Sequence, residues 1–233
     1  LNFNIFIVVN SFSKNQTMNK FLLGLPFIVI LCFSCTKKAQ DPVSDIDGNS
    51  YKAVAIGKQI WMAEDLKVTK FRNGDSIPRI QSVIDWEIAY QSYQPACCYF
   101  DNDPSKGMLY NWYALNDPRG LAPEGWHVPS DDEWRTLEKK LKEDQGTKMK
   151  NTSGWNNSGN GDNSSGFSGL PGGYRYNEGY YYKFGEEGFY WTSTESDSLN
   201  AWNRSLKFDS PQLLRGNYNK NGGFSIRCMK DDE

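Results

Sequence analysis

Between Phe21 and Cys32 the chain is almost unbroken in apolar residues, and this run divides the sequence into a part that is removed and a part that folds. Met18, Asn19 and Lys20 precede it with a single positive charge; Phe33, Ser34, Cys35 and the polar Thr36-Lys37-Lys38 follow it. A charged start, an apolar core of about 7–15 residues and a small residue before the cut define a secretory signal. The run is too short to cross a bilayer as a helix, which takes roughly 20 apolar residues. Residues 1–34 are therefore read as a leader, with 18–34 as its signal peptide. Because residue 1 is Leu1, residues 1–17 are read as lying upstream of the true start.

Ser34 directly ahead of Cys35, at the end of such a leader, resembles the lipobox of bacterial lipoproteins. The resemblance implies that Cys35 becomes the mature N-terminus and carries lipid on its sulfur, so that the chain meets a membrane through its anchor. The other reading is an ordinary cleaved signal with an incidental cysteine. Several acyl chains anchor firmly where one alone is marginal, and the expected location is the cell envelope, at the outer membrane or cell surface. Residues 35–46 then form the lipidated cysteine and a tether. Fully stretched, residues 36–46 reach about 35–40 Å at roughly 3.5 Å per residue.

Loss of the leader removes Lys14 and Lys20 and takes the formal charge from −2 to −4. The charge is scattered, without a basic stripe, which argues against nucleic acid as a partner. The remaining length fits one domain and exceeds the size at which a core fails to form. Aromatic residues at 15%, with abundant Gly and Asn, point to a loop-rich extracytoplasmic domain rather than a helical bundle.

Asp47-Gly48-Asn49 reads as a turn, and residues 51–56 and 59–62 read as short strands around Gly57-Lys58. Ser130-Asp131-Asp132-Glu133 has the form of a capping box, in which Ser and Glu each satisfy a free backbone N–H. Trp134, Leu137 and Leu141 then share one helical face, Lys139, Lys140 and Lys142 suit the C-terminal dipole, and Gly146 is the expected end. A shorter helix is expected over residues 108–115. Strands return with residues 189–194, with the alternating Trp202, Leu206 and Phe208, and with Phe224, Ile226 and Cys228 facing inward opposite Ser225 and Arg227. A loop rich in Gly, Asn and Ser runs from Asn151 to Gly173, and loops of that length are usually functional or mobile. The order predicts an α+β fold: a single domain of short twisted antiparallel sheets, one or two helices and long loops.

Seven blocks then carry a resemblance. They are Asp45-Ile46-Asp47-Gly48-Asn49; Trp61-Met62-Ala63-Glu64-Asp65-Leu66-Lys67; residues 107–114 (GMLYNWYA); residues 125–134 (GWHVPSDDEW); residues 165–175 (SGFSGLPGGYR); residues 190–195 (YWTSTE); and residues 223–228 (GFSIRC). In this order, across residues 45–230, the chain closely resembles the Fibrobacter succinogenes major paralogous domain family, and the domain is placed at 47–230. The resemblance implies a surface or periplasmic lipoprotein of unassigned activity. The Trp-His-Val-Pro-Ser and Gly-Phe…Arg-Cys blocks are also distantly similar to C-type lectin-like and formylglycine-generating enzyme folds. Fold analogy does not transfer activity.

Candidate chemistry is sparse. Of five cysteines, Cys97, Cys98 and Cys228 lie in the domain. Export permits a disulfide, and Cys98 with Cys228 is the expected pair, set against three free thiols. The family often has a cysteine just before its Gly-Trp-His block, where this chain has Ala122. Adjacent Cys97 and Cys98 leave open a copper oxidase of the formylglycine-generating type. His127, the sole histidine, is read as a packed structural residue, and residues 166–170 miss the nucleophile-elbow pattern at Leu170. No catalytic residue is therefore expected. Asn156, Asn157, Asp162 and Asn163 gather oxygen donors of the kind calcium takes, against a plain turn-rich loop, and no other cofactor is expected. Trp155, Tyr174, Arg175 and Tyr176 combine aromatic faces with a cation and are the expected binding residues for a glycan or protein ligand. The expected function is a non-catalytic binding or adhesion domain, with an oxidase or a purely structural envelope protein as alternatives.

Overall fold

One carboxylate organises the first turn. Asp45 Oδ1 accepts the amides of Asp47 and Asn49, and its Oδ2 accepts the Tyr51 hydroxyl at 2.6 Å. The turn joins β1 (Val43–Ser44) to β2 (Ser50–Tyr51), and a tight hairpin across Gly57 joins β3 (Ala53–Ile56) to β4 (Gln59–Met62). The computed structural model describes residues 40–232. The expected leader, the expected lipidation site Cys35 and the first part of the expected tether lie outside the described residues.

Then come α1 (Val83–Gln91), β5 (Cys97–Tyr99), β6 (Met108–Tyr110), α2 (Trp112–Leu115) and β7 (Trp126–His127). The longest helix, α3 (Asp131–Leu141), precedes the short α4 (Gln145–Met149). The last third holds β8 (Gly172–Arg175), β9 (Tyr181–Phe184), β10 (Glu187–Glu195), β11 (Asn200–Lys207), β12 (Leu214–Asn219) and β13 (Met229–Lys230). They form a five-stranded sheet in the order β12-β11-β10-β8-β9 and a four-stranded sheet in the order β3-β4-β13-β7, beside the pairs β1-β2 and β5-β6. All pairings are antiparallel except β8 with β10. The fold is mixed α+β, as the order of sequence signals predicts. Among the described residues, no helix is long and apolar enough to cross a membrane.

The alternation of β10 serves two parts of the core. Phe189 and Trp191 both stack on Phe224, with ring centroids 4.9 and 4.2 Å apart. Tyr190 belongs to a second cluster with Trp61, Trp134 of α3 and Phe167, whose rings meet edge to face. Each such pair adds about 0.5–1.5 kcal/mol beyond its buried area.

The Ser130–Glu133 capping box forms as expected: Ser130 Oγ accepts the Glu133 amide, and Glu133 Oε2 accepts the Ser130 amide at 2.7 Å. Three expectations need correction. The helix ends at Leu141, and Gly146 instead lies inside α4, buried so tightly that a Cβ there would stand 2.5 Å from the Gln212 carbonyl oxygen. Residues 108–115 divide into strand β6 and helix α2, because Asn111 caps α2 by accepting the Ala114 amide. Residues 223–228 are not a strand with one wet face. They thread between other elements, and Ser225 and Arg227 are as buried as Phe224 and Ile226.

Candidate ligand-binding face

In the β8–β9 hairpin Tyr174 pairs with Tyr182, their ring centroids 5.8 Å apart. Tyr218 of β12 lies 6.0 Å from Tyr174, and Tyr176, just beyond β8, lies 6.0 Å from both Tyr182 and Tyr218. The four rings thus close a circuit in which each touches two others. Phe189 and Phe224 fix it to the core, through Tyr174–Phe189 at 4.8 Å and Tyr218–Phe224 at 5.1 Å. Tyr182 is 46% exposed, and the other three tyrosines are half-buried. Burial pushes the Tyr174 and Tyr218 hydroxyls above the ordinary tyrosine range, with nearby Glu187 acting on Tyr174 and Glu178 on Tyr218 in the same direction. The phenols therefore stay protonated as donors and acceptors. The Tyr218 hydroxyl is buried without a hydrogen-bond partner. An apolar plane edged by neutral hydroxyls can stack on a ring and hydrogen-bond its substituents.

Two of the expected binding residues belong to this face, Tyr174 and Tyr176; the other two do not. Trp155 is 4% exposed, donates its indole N–H to the Gly169 carbonyl and sits in the cluster of Trp61 and Trp134. Arg175 is fully buried: it donates to the carbonyls of Ile80, Gln81, Ser82 and Gly179 and lies 4.2 Å over the Trp86 ring. Strand alternation is the reason, since the neighbours of an inward Arg175 point outward.

The expected calcium donors are split between two turns. Asn156 and Asn157 form a short helical turn against Gly185. Asp162 Oδ1 accepts the Ser164 amide and Asn163 Oδ1 accepts the Ser168 amide, each at 2.8 Å, so these oxygens already complete turns of their own loop. Among the described residues, no three His, Cys, Asp or Glu side chains are grouped to hold a metal.

The expected Cys98–Cys228 disulfide is not formed; Cys97, Cys98 and Cys228 are free and buried. Alternation along β5 puts Cys97 in the core cluster that contains Cys228 and turns Cys98 into a separate one with Trp86 and Phe100. Burial raises all three thiols, Cys97 to about 12. His127 lies between two carboxylates, Glu133 at 2.9 Å and Asp231 at 2.6 Å. The Glu133 hydrogen bond is the main reason its pKa rises to about 9. Both ring nitrogens are occupied in tying the C-terminal segment to the start of α3.

The family model of the Fibrobacter succinogenes major domain matches residues 54–230, most of the chain. The chain belongs to that family. No curated protein and no solved structure matches it. In this Fibrobacter succinogenes major domain the tyrosine face lies within the matched span, built from β8, β9 and β12. Tyr182 belongs to the same aromatic-rich stretch of sequence as Tyr174, Tyr176, Tyr180 and Tyr181, whereas Tyr218 was missed. The period-two run Leu214, Gly216, Tyr218 in β12 is the signal that could have found it.

Proposed function

We propose that the chain is an envelope lipoprotein, anchored through Cys35, whose domain binds glycan on the face formed by Tyr174, Tyr176, Tyr182 and Tyr218 and performs no catalysis. The closed circuit of part-exposed tyrosine rings carries this reading. Four large aromatic side chains are held together, part-exposed, at the surface, a composition that suits stacking on sugar rings. The residues able to do covalent chemistry favour the same view. The domain thiols are buried and protonated, and the imidazole is locked between two carboxylates.

A glycan and protein array probed with the domain from residue 40 onward tests it. Retention on particular glycans is expected, weakening about threefold to tenfold in Tyr176→Ala and in Tyr182→Ala, the range given by one aromatic contact. Retention on proteins alone, or equal retention by both variants, overturns the glycan reading. For the anchor, cells fed a fatty-acid probe should label the wild type and not Cys35→Ala; persistent label in the variant assigns the lipid to another residue.

A further inference from the structure

One rung along the β8–β9 hairpin from the Tyr174–Tyr182 pair, Gly172 pairs with Phe184, and there the surface opens into a cleft of about 390 Å³. Its walls come from residues 64–67 after β4, residues 105–108 leading into β6, and residues 170–172 at the start of β8. The size is near the lower end of the roughly 300–1,000 Å³ typical of small-molecule sites. Leu170 and Phe184 line it while 43% and 45% exposed, and Leu66 and Met108 line it almost fully buried. Single exposed apolar side chains need no explanation. Two of them bordering one concavity keep an apolar hollow in contact with water.

Ser225 also lines the cleft and is 5% exposed. Its backbone is bonded to Phe189 and Trp191, yet its Oγ has no hydrogen-bond partner among the described residues. Gly172 leaves it uncovered: the nearest atom to a Cβ built there would be Ser225 Oγ, at 3.5 Å. The hydroxyl is therefore open to the cleft, where it can hydrogen-bond a polar atom of a ligand in place of water.

The rim supplies a charge. Asp65 is engaged by Arg227 at 2.5 Å and Glu64 by the Lys52 amide at 2.6 Å, while Lys106 reaches Asp101 at 3.3 Å. Lys67 is exposed and makes no ion pair among the described residues; its ammonium group lies 5.8 Å from the centre of the Tyr51 ring. Among the described residues, Lys67 is thus a cation at the cleft without an ion pair, while Glu64, bonded only to a neutral amide, keeps its negative charge beside it.

We propose that this cleft is a second ligand site, separate from the tyrosine face, for a small carboxylic acid with an apolar body. The body packs between Leu170 and Phe184, the carboxylate pairs with Lys67, and the Ser225 hydroxyl hydrogen-bonds the same ligand. Calorimetric titration of the full chain with phenylpropionate and with its neutral amide tests this. The acid should bind more tightly by roughly twofold to fivefold, the range of an exposed ion pair, and Lys67→Gln should abolish the difference. Ser225→Ala should weaken both ligands about threefold to tenfold, as loss of one hydrogen bond does. The doubly truncated surface variant Leu170→Ala/Phe184→Ala should weaken both without depending on Ser225, and Tyr182→Ala should bind the acid like the wild type. Equal affinity for acid and amide in the wild type, an unchanged preference in Lys67→Gln, or no heat with either ligand at millimolar concentration overturns the proposal.

Discussion

Arg175, Arg204 and Arg227 are wholly shielded from water, and each holds distant segments together through its guanidinium. Arg227 donates to Asp65 and to the carbonyls of Met62, Phe167 and Ser168. Arg204 holds Asp131 at 2.8 Å and Glu138 at 2.5 Å, both on α3. Removing one partner of a buried pair leaves the other charge uncompensated, at about 3–5 kcal/mol. Asp65→Ala should therefore lower unfolding stability in urea by about 3 kcal/mol, and a loss too small to move the midpoint would mean the carbonyls alone hold Arg227. These roles were not legible in the sequence. Alternation marked Arg227 as outward and composition marked Arg175 as a binding cation, because their acceptors are backbone carbonyls far away along the chain.

His127 makes a pH prediction at the same scale. Its folded pKa of about 9 lies above the ordinary value of 6.5. The stability it contributes is fully present below the unfolded value and lost as pH rises through the folded one. Thermal stability of the wild type should thus fall between pH 6.5 and about 9, and His127→Gln should flatten that slope; an identical slope in the variant would place its origin elsewhere. Its partner Glu133 is subject to burial, which alone would raise it, but hydrogen bonds from His127 and Ser130 hold it at about 2. The Glu133 contribution is therefore lost in acid, as pH falls from 4.5 towards about 2.

At the scale of elements, the start and the apolar face of α3 were legible because capping and an apolar stripe agree, whereas its end was misplaced at Gly146. Ser130→Ala removes the cap that accepts the Glu133 amide and should cost about 1 kcal/mol, read from denaturant midpoints; a neutral result would mean that the Glu133 carboxylate alone holds the turn. Helix α1 was illegible for the opposite reason. It buries Trp86 and Ala89 while Ile84 and Ile88 stand 70% and 53% exposed, so no stripe marks it. Double substitution Ile84→Gln/Ile88→Gln should change stability by less than about 1 kcal/mol, and a larger loss would show that this face is covered. The C-terminal segment reads as a strand in the sequence but does not form one before Met229. Its residues form isolated bridges to Tyr110, Arg175 and Tyr190 before β13 enters the sheet between β4 and β7.

Across the whole molecule, the α+β class followed from the order of signals, whereas the tyrosine face depends on contacts that no local pattern holds. Tyr174 and Tyr176 lie close in the chain, but β12 is separated from β8 by β11 and β10, and Phe224 joins the two by touching rings of β8, β10 and β12. Trp155 is equally suited by composition, yet the long Gly- and Asn-rich loop folds back and buries it in the cluster of Phe167 and Trp134. The most direct measurement is amide-exchange mapping of the chain with and without a glycan retained on the array. Protection should appear on β8, β9 and β12 around Tyr174, Tyr182 and Tyr218, and should vanish in Tyr182→Ala. Protection confined to the Trp155 loop, or unchanged exchange across the tyrosine strands while glycan is bound, would contradict the assignment of that face.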